Sequence, residues 1–459
     1  MQECPFQLSV RRDDPQRTEV LLCTALLRDV PGKRAVYRAQ WNRQDVIAKV
    51  FSHEIHAARH LKREWRGLLG LRQRGFSAPQ PLFYGRTTQG RQVLVMENIG
   101  DAPSVRHQFA EASEPAQMLR LLEPVCRQLA RYHEKGVLQT DLHLGNFLAP
   151  GDRIVTIDAA QVRFRAQPIR KRESLAQLAE LASFLPPACS LSLKGLYEEY
   201  FEMRRWSLQT SDEAWLQRKA QRCKGRAIDR VLRKYRRSNS RHRNVTVPPY
   251  RGLLDRPFCR GGDAEKLVTQ LDALLETGDV LKRGNTCCVS RLRWNGRDIV
   301  VKRYNHKGLI HSLRHTVKGS RARRGWIASH RLRLLGVGTP EPLAYVERRK
   351  GPIVWCSYLI HEYVPGRKLS DLLRDDSVAP DQRQQYIAQV LAVLERLGRH
   401  RITHGDMKHS NILIGEGGPI LTDLDALTVH RWRRAYEIGH RKDVRRFEAA
   451  CAAGMRAAT

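Results

Sequence analysis

The sequence is short of acid. Against 81 Lys and Arg it sets 47 Asp and Glu, a formal charge of +34 over 459 residues. Such an imbalance predicts affinity for a polyanion: nucleic acid, an anionic membrane surface or a phosphorylated glycolipid. Solvated surface arginine accounts for only part of it. Long apolar runs are missing too. No uncharged apolar stretch reaches the roughly 18 residues of a membrane span, so no transmembrane helix is expected. Met1 to Pro5 lacks the layout of a signal peptide. The ten cysteines are scattered, with no C-x-x-C and one adjacent pair, Cys287 and Cys288. That speaks against a zinc site and a disulfide framework, and for reduced thiols in the cytoplasm. Neither G-x-x-x-x-G-K-[ST] nor G-x-G-x-x-G occurs, which argues against a P-loop enzyme and leaves any phosphate-covering loop atypical.

What is present is a loop that occurs twice. Ile402-Thr403-His404-Gly405-Asp406-Met407-Lys408-His409-Ser410-Asn411 is followed by Leu421-Thr422-Asp423-Leu424-Asp425. An apolar lead-in, an H-x-D-x-K turn, Asn five after the Asp and a second Asp behind a short strand make a kinase catalytic loop. Phosphoryl transfer needs an Asp to orient the attacking hydroxyl, plus a carboxamide oxygen and a second carboxylate to hold Mg²⁺ on the phosphates of ATP. Asp406 is therefore the expected base, Asn411 and Asp423 the metal ligands, and Lys408 a charge near the transferred phosphoryl. A polar loop between two strands also uses Asn and Asp for turn chemistry, and one such motif alone would not decide the matter. Recurrence does. Leu138-Gln139-Thr140-Asp141-Leu142-His143-Leu144-Gly145-Asn146, then Ile157-Asp158, repeats the arrangement, with Asp141, Asn146 and Asp158 each 265 residues before their counterparts.

Upstream of each loop lies a hairpin ending in a lysine. Gly32 leads through Val36 and Trp41 to Ile47-Ala48-Lys49-Val50, and Gly284 leads through Trp294 to Ile299-Val300-Val301-Lys302. Lysine on an apolar strand is costly unless paired, so Lys49 and Lys302 are read as the residues gripping the α- and β-phosphates. Glu64, in a helical run from His53 to Gln73, is the expected partner of Lys49, with an exposed helix glutamate as the alternative. In the second half Gly325 falls at the matching position, so Lys302 lacks that partner. Strands ending at Glu97 and Glu362 resemble those that enter a kinase hinge, where backbone groups bind adenine. Lys49 is expected near Asp158, and Lys302 near Asp423, across a cleft.

The length predicts two or three domains. The expected fold class is α+β, with two tandem protein-kinase-like bilobal domains at 1–208 and 263–459. Between them, 209–262 carries a basic amphipathic helix: twelve Lys/Arg and one acid lie between Arg218 and Arg243. Its apolar side is expected to pack on the protein, and its cationic side is suited to an anionic surface. Val247-Pro248-Pro249-Tyr250 reads as an extended linker. Val20 to Leu27 suits a first strand or a short helix.

These motifs resemble the lipopolysaccharide core kinases, the family of Kdo and heptose kinases distantly related to protein kinases. The carriers are Val301-Lys302, Arg321 to Pro340, Glu362-Tyr363-Val364-Pro365-Gly366, His404-Gly405-Asp406 and Thr422-Asp423-Leu424-Asp425. The resemblance covers roughly 280–447 well and 30–185 more loosely, where Gln139-Thr140 replaces His404-Gly405. It implies ATP-dependent, Mg²⁺-dependent phosphorylation of a sugar hydroxyl in the lipopolysaccharide inner core, at the cytoplasmic face of the inner membrane. The implied partners are the core glycolipid and the anionic membrane. A kinase of a protein or small molecule, or a pseudokinase scaffold, is the competing reading. Nucleic acid ranks last, because the Arg-rich segments lack regular aromatic interleaving.

Overall fold

The computed structural model describes residues 3–13, 17–30, 32–52, 56–151, 153–186, 189, 193–259, 261–306, 308 and 316–456. The chain folds as two compact units, Met1–Lys224 and Gly225–Thr459. Each is bilobal, with a sheet-rich lobe followed by a helical one.

The sheet lobe of the first unit comprises β1 (Phe6–Arg12), β2 (Thr18–Val30), β3 (Arg34–Trp41), β4 (Gln44–Phe51), β5 (Pro81–Thr87) and β6 (Gln92–Glu97). They close into a barrel of order β1-β2-β3-β4-β6-β5, sealed where β1 meets β5 at Val10 and Thr87. Val20 to Leu27 is thus strand, in keeping with its alternation: Leu21 and Cys23 point inward, Val20 and Leu22 outward. On β4, Val46, Ala48 and Val50 fill the barrel core. Lys49, one residue out of phase, faces the other side.

Helix α1 (Ala57–Gln73) packs Leu61, Leu68 and Leu71 against that side. Residues 53–55, the start expected for this helix, lie outside the described residues. The helical lobe contains α2 (Val105–Glu111), capped by Ser104, and α3 (Pro115–Glu134), which begins on a proline as the first turn allows. β7 (Val137–Gln139), β8 (Phe147–Leu148), β9 (Val155–Thr156) and β10 (Val162–Phe164) carry the Asp141 loop, followed by α4 (Lys171–Ala182) and α5 (Leu193–Met203).

The long helix α6 (Thr210–Lys234) serves both units. Leu216 and Ala220 belong to the core of the first, Ile228 and Leu232 to the core of the second. Its apolar side is consumed by packing, and its cationic side faces solvent.

The expected extended linker is instead a hairpin. β11 (His242–Val247) and β12 (Tyr250–Asp255) pair with each other, and β12 pairs with β16 (Pro342–Lys350). The Pro-Pro pair sits in the turn, while Val245, Leu253 and Leu254 bury on the sheet. With β13 (Asp279–Arg283), β14 (Cys287–Trp294), β15 (Arg297–Tyr304) and β17 (Ile353–Glu362), the sheet has seven strands in the order β11-β12-β16-β17-β15-β14-β13. Helix α7 (Asp263–Thr277) covers one face with Leu267 and Leu271. Helix α8 (Arg321–Leu334), capped by Ser320, lies near the other, with Trp326 fully buried. The helical lobe holds β18 (Arg367–Lys368), α9 (Leu369–Arg374), α10 (Pro380–Arg399), β19 (Ile402–Thr403), β20 (Ile412–Gly415), β21 (Gly418–Leu421), β22 (Thr428–Val429) and α11 (Arg433–Arg456).

Candidate active site

In the second unit, the loop after β19 is fixed from below. His404 is fully buried; its Nε2 donates to the Thr422 carbonyl at 2.9 Å, and its Nδ1 accepts the Asp406 N–H at 3.3 Å. Burial lowers the His404 pKa, so the ring stays neutral with the proton on Nε2. The buried Asp443 of α11 takes the N–H groups of His404 at 2.7 Å and Gly405 at 3.0 Å. Together these bonds form a brace that ties the turn carrying Asp406 to α11 and to the strand end carrying Asp423.

Three groups hold the Asp406 carboxylate: Asn411 Nδ2 at 3.1 Å, Lys408 Nζ at 3.1 Å and an Arg446 guanidinium nitrogen at 3.0 Å. Because the Asn411 amide nitrogen is spent on Asp406, its carbonyl oxygen remains as a donor to a cation. Asp423 holds a left-handed backbone, φ +58°, that non-glycine residues rarely adopt outside constrained sites. Lys302 Nζ reaches Asp423 Oδ1 at 2.6 Å. Burial would raise the Asp423 pKa, but the hydrogen bond from Asp425 and the Lys302 charge outweigh it, and the group stays ionised. Asp425 is pushed up by burial and by its ionised neighbour, and Arg321 Nε holds it at 2.6 Å. A carboxamide and a carboxylate oxygen suit Mg²⁺, which takes few protein ligands and fills its shell with phosphate and water.

Gly325, which the sequence aligns with the helix glutamate, lies inside α8. A Cβ there would lie 2.9 Å from Leu359 Cδ2, so apolar packing stands where Glu64 stands in the first unit. Asp423 itself replaces the missing partner of Lys302.

In the first unit Lys49 pairs with the fully buried Glu64. The expected approach to Asp158 is only partly met, because Lys49 Nζ donates to the neighbouring Ile157 carbonyl at 3.1 Å. Arg34 instead holds Asp158, at 3.0 Å. Burial would raise the Asp158 pKa, and the Lys49 and Arg34 charges more than reverse it. Asn146 Nδ2 donates to the Asp141 carbonyl at 3.1 Å, again leaving the amide oxygen as donor. Among the described residues no side chain grips the Asp141 carboxylate. Gln139, a departure from the pattern by sequence, takes over the brace: its Nε2 donates to the Asp158 carbonyl at 3.3 Å, and Gln177 donates to its backbone oxygen.

A cavity of about 370 Å³ opens between the lobes of the first unit. Val36, Ile47, Met96 and Leu148 give it apolar walls, residues 97–102 its rim, and Lys49, Asn146 and Asp158 its polar end. Glu97 lines this cavity, with its carboxylate taken by the Gln80 N–H at 2.9 Å. Gly32 does not. It lines a second cavity of about 630 Å³ at the end of the barrel, together with Phe6, Tyr37 and Arg91. Gly284 sits at the β13–β14 turn, its N–H donating to Cys287 O at 3.1 Å, and Glu362 ends β17. Sequence reading missed Asp443 and Arg446, about 40 residues from the loop they hold, and also Arg34, Arg321 and Asp425. Asp425 carried a signal as the repeated acid of D-L-D, and Arg321 only as the first residue of an Arg-rich stretch.

Sheet lobe, buried lysine, Asp-bearing loop and Asn–Asp pair lay out a protein-kinase-like domain twice in one chain. Residues 274–448 match the sequence model of the lipopolysaccharide kinase (Kdo/WaaP) family, and residues 32–175 match that of the RIO domain. The resemblance to the lipopolysaccharide kinases thus holds for the second unit. A serine/threonine-protein kinase WARTS homolog of Caenorhabditis elegans is 38% identical over 86 residues, 18% of this chain. Serine/threonine-protein kinase 36 of Pongo abelii is 40% identical over 62 residues, 14% of this chain. The matches span only 10% and 5% of those relatives' lengths. Among solved structures, WaaP in complex with acyl carrier protein aligns at TM-score 0.31 and 21% identity over 43% of this chain and 88% of that one. The PknI kinase domain of Mycobacterium tuberculosis aligns at TM-score 0.27 and 19% identity over 36% of this chain and 72% of that one.

Proposed function

We propose that the chain is an ATP-dependent, Mg²⁺-dependent kinase that phosphorylates a sugar hydroxyl of the lipopolysaccharide inner core, with the transfer carried mainly by the second unit. The observation that carries this reading is the convergence of Lys302, Asp423, Asn411 and the thrice-held Asp406 inside the segment matched by the lipopolysaccharide kinase family. Asp406 orients the acceptor hydroxyl and receives its proton as the hydroxyl oxygen bonds to the γ-phosphorus of ATP and the bond from that phosphorus to the β–γ bridging oxygen breaks, releasing ADP. Lys408, 3.1 Å from Asp406, adds positive charge where the phosphoryl group passes. Asn411 and Asp423 are the oxygen donors for Mg²⁺, which supplies charge neutralisation on the phosphates. Lys302 faces those phosphates from β15. In the first unit Lys49, Glu64, Asn146 and Asp158 form a nucleotide site in the 370 Å³ cavity, and Asp141 is its weaker base.

The short matches to serine/threonine-protein kinases favour one other acceptor class, a protein. Incubating the chain with labelled ATP and Mg²⁺, and with purified core lipopolysaccharide or casein, separates the two. Label in the lipopolysaccharide sugar and none in casein is the expected result. Label in casein alone overturns the acceptor and leaves the kinase standing.

A further inference from the structure

The second unit carries a surface patch that the phosphotransfer site does not use. Trp432 is 68% exposed, Ile438 53% and Val429 45%, all within ten residues at the entry to α11. Large apolar groups are left in water here while basic groups crowd round them. Arg431 lies over the Trp432 ring at 5.2 Å. Arg434 precedes Ile438 by one helical turn and Lys442 follows it by one, so all three share the solvent face of α11. The two nearby acids are engaged: Glu437 pairs with Arg433 at 2.7 Å, and Asp443 is buried under the catalytic loop. The patch is therefore cationic and apolar at once.

We propose that this patch, Val429 to Lys442, docks on an anionic lipid bilayer and holds the catalytic loop of the second unit at the membrane; this rests on the reading of the acceptor as a membrane glycolipid. Tryptophan favours the headgroup boundary, where its ring is half wet, and an amphipathic helix with a basic rim binds by burying its apolar face among anionic headgroups. Nucleic acid explains the arginines and tryptophan but gives Val429 and Ile438 nothing, since aliphatic groups neither stack on bases nor pair with phosphate. A second copy of the patch would meet like charge with like. Helix α6 is the poorer candidate because its apolar side is already packed in the two cores. The patch is also well placed. Arg446, which holds Asp406 at 3.0 Å, stands on the same helix eight residues beyond Ile438, about 12 Å along the axis. A bilayer at Ile438 thus lies close to the base.

The test is co-sedimentation of the full chain with vesicles of phosphatidylcholine, with and without phosphatidylglycerol, across a salt series. Binding should require phosphatidylglycerol and fall steeply with salt. Trp432→Ala, and separately Arg434→Glu with Lys442→Glu, should each lower partitioning on the order of tenfold. Arg230→Glu with Arg233→Glu, on α6, should change it less than threefold. Equal sedimentation of both patch variants and wild type, or no sedimentation of wild type, overturns the proposal. So does a larger loss of binding to single-stranded RNA than to vesicles in the patch variants. Sedimentation needs neither acceptor nor turnover. A chain that binds vesicles through the patch but labels only casein refutes the acceptor reading alone.

Discussion

Asp406 and Asp141 occupy the same position in two loops of identical spacing, yet the protein treats them differently. Asn411, Lys408 and Arg446 fix the first carboxylate, whereas Asn146 reaches only the backbone oxygen of the second. A reacting group misplaced by about 1 Å can cost roughly a hundredfold in rate, so the better-held carboxylate should carry the reaction. Asp406→Ala should lower kcat by about 10²–10⁴, the worth of a positioned base. Asp141→Ala should leave most of the turnover. Steady-state kinetics on each variant decides, and loss of turnover in Asp141→Ala alone would reverse the assignment of units. Both aspartates were legible because the chemistry fixes their spacing to Asn and to the second Asp. Asp443 and Arg446 were not, because a helix far along the chain delivers them and no local pattern marks which of its polar residues turns inward. The part played by Gln139 was hidden for the same kind of reason. An amide donor can do the brace's work, and only its distance to the Asp158 carbonyl reveals it.

Alternation and turn signals located the lysine-bearing hairpins, and helical patterning located α1 and α6. The β11–β12 hairpin escaped because a Pro-Pro pair reads as a linker when its pairing partner, β16, lies about 90 residues away in sequence. Long-range pairing leaves little trace in a local window. Close packing between elements is equally silent. Gly67, inside α1, faces the segment after Asp158, and a methyl there would sit 2.8 Å from the Ala159 carbonyl carbon. Glycine to alanine in a helix ordinarily gains about 1 kcal/mol. Here the neighbour is backbone, which cannot swing away, and overpacking costs about 1–3 kcal/mol or more, so the steric loss wins. Gly67→Ala should lower the urea midpoint of the first unit and, by pushing α1 from the Asp158 loop, weaken the Lys49–Glu64 pair. Nucleotide titration alongside urea denaturation measures both, and a variant as stable as the wild type would refute the close contact.

At the scale of the molecule, the formal net charge of +34 at pH 7 repels itself and grows as the medium acidifies and histidines protonate. Two buried histidines make acid costlier still. In the first unit His133 is fully buried between Tyr200 and Gln177, and burial lowers its pKa to about 4. In the second, His330 packs on Trp326 at 4.4 Å, and burial, with the neighbouring His242, Arg241 and Arg333, lowers its pKa to about 3. An unfolded histidine titrates near 6.5. Below that pH the unfolded chain binds protons the folded chain refuses, so stability is full above about 6.5 and drains as pH falls towards the folded values. For His133 the loss reaches on the order of 3 kcal/mol by pH 4. Asp158 and Asp423 have pKa values below the ordinary carboxylate range, so their stabilisation is lost only at lower pH, as the medium acidifies through their folded pKa values. The window between about pH 6.5 and 4.5 therefore belongs mainly to the histidines. The urea midpoint should fall steadily across it, and His133→Gln, which keeps a polar group beside Tyr200 and Gln177, should flatten the slope for the first unit while lowering its plateau at pH 7. An unchanged slope in that variant would show that His133 keeps the same proton affinity folded and unfolded, and that repulsion among surface charges sets the acid response.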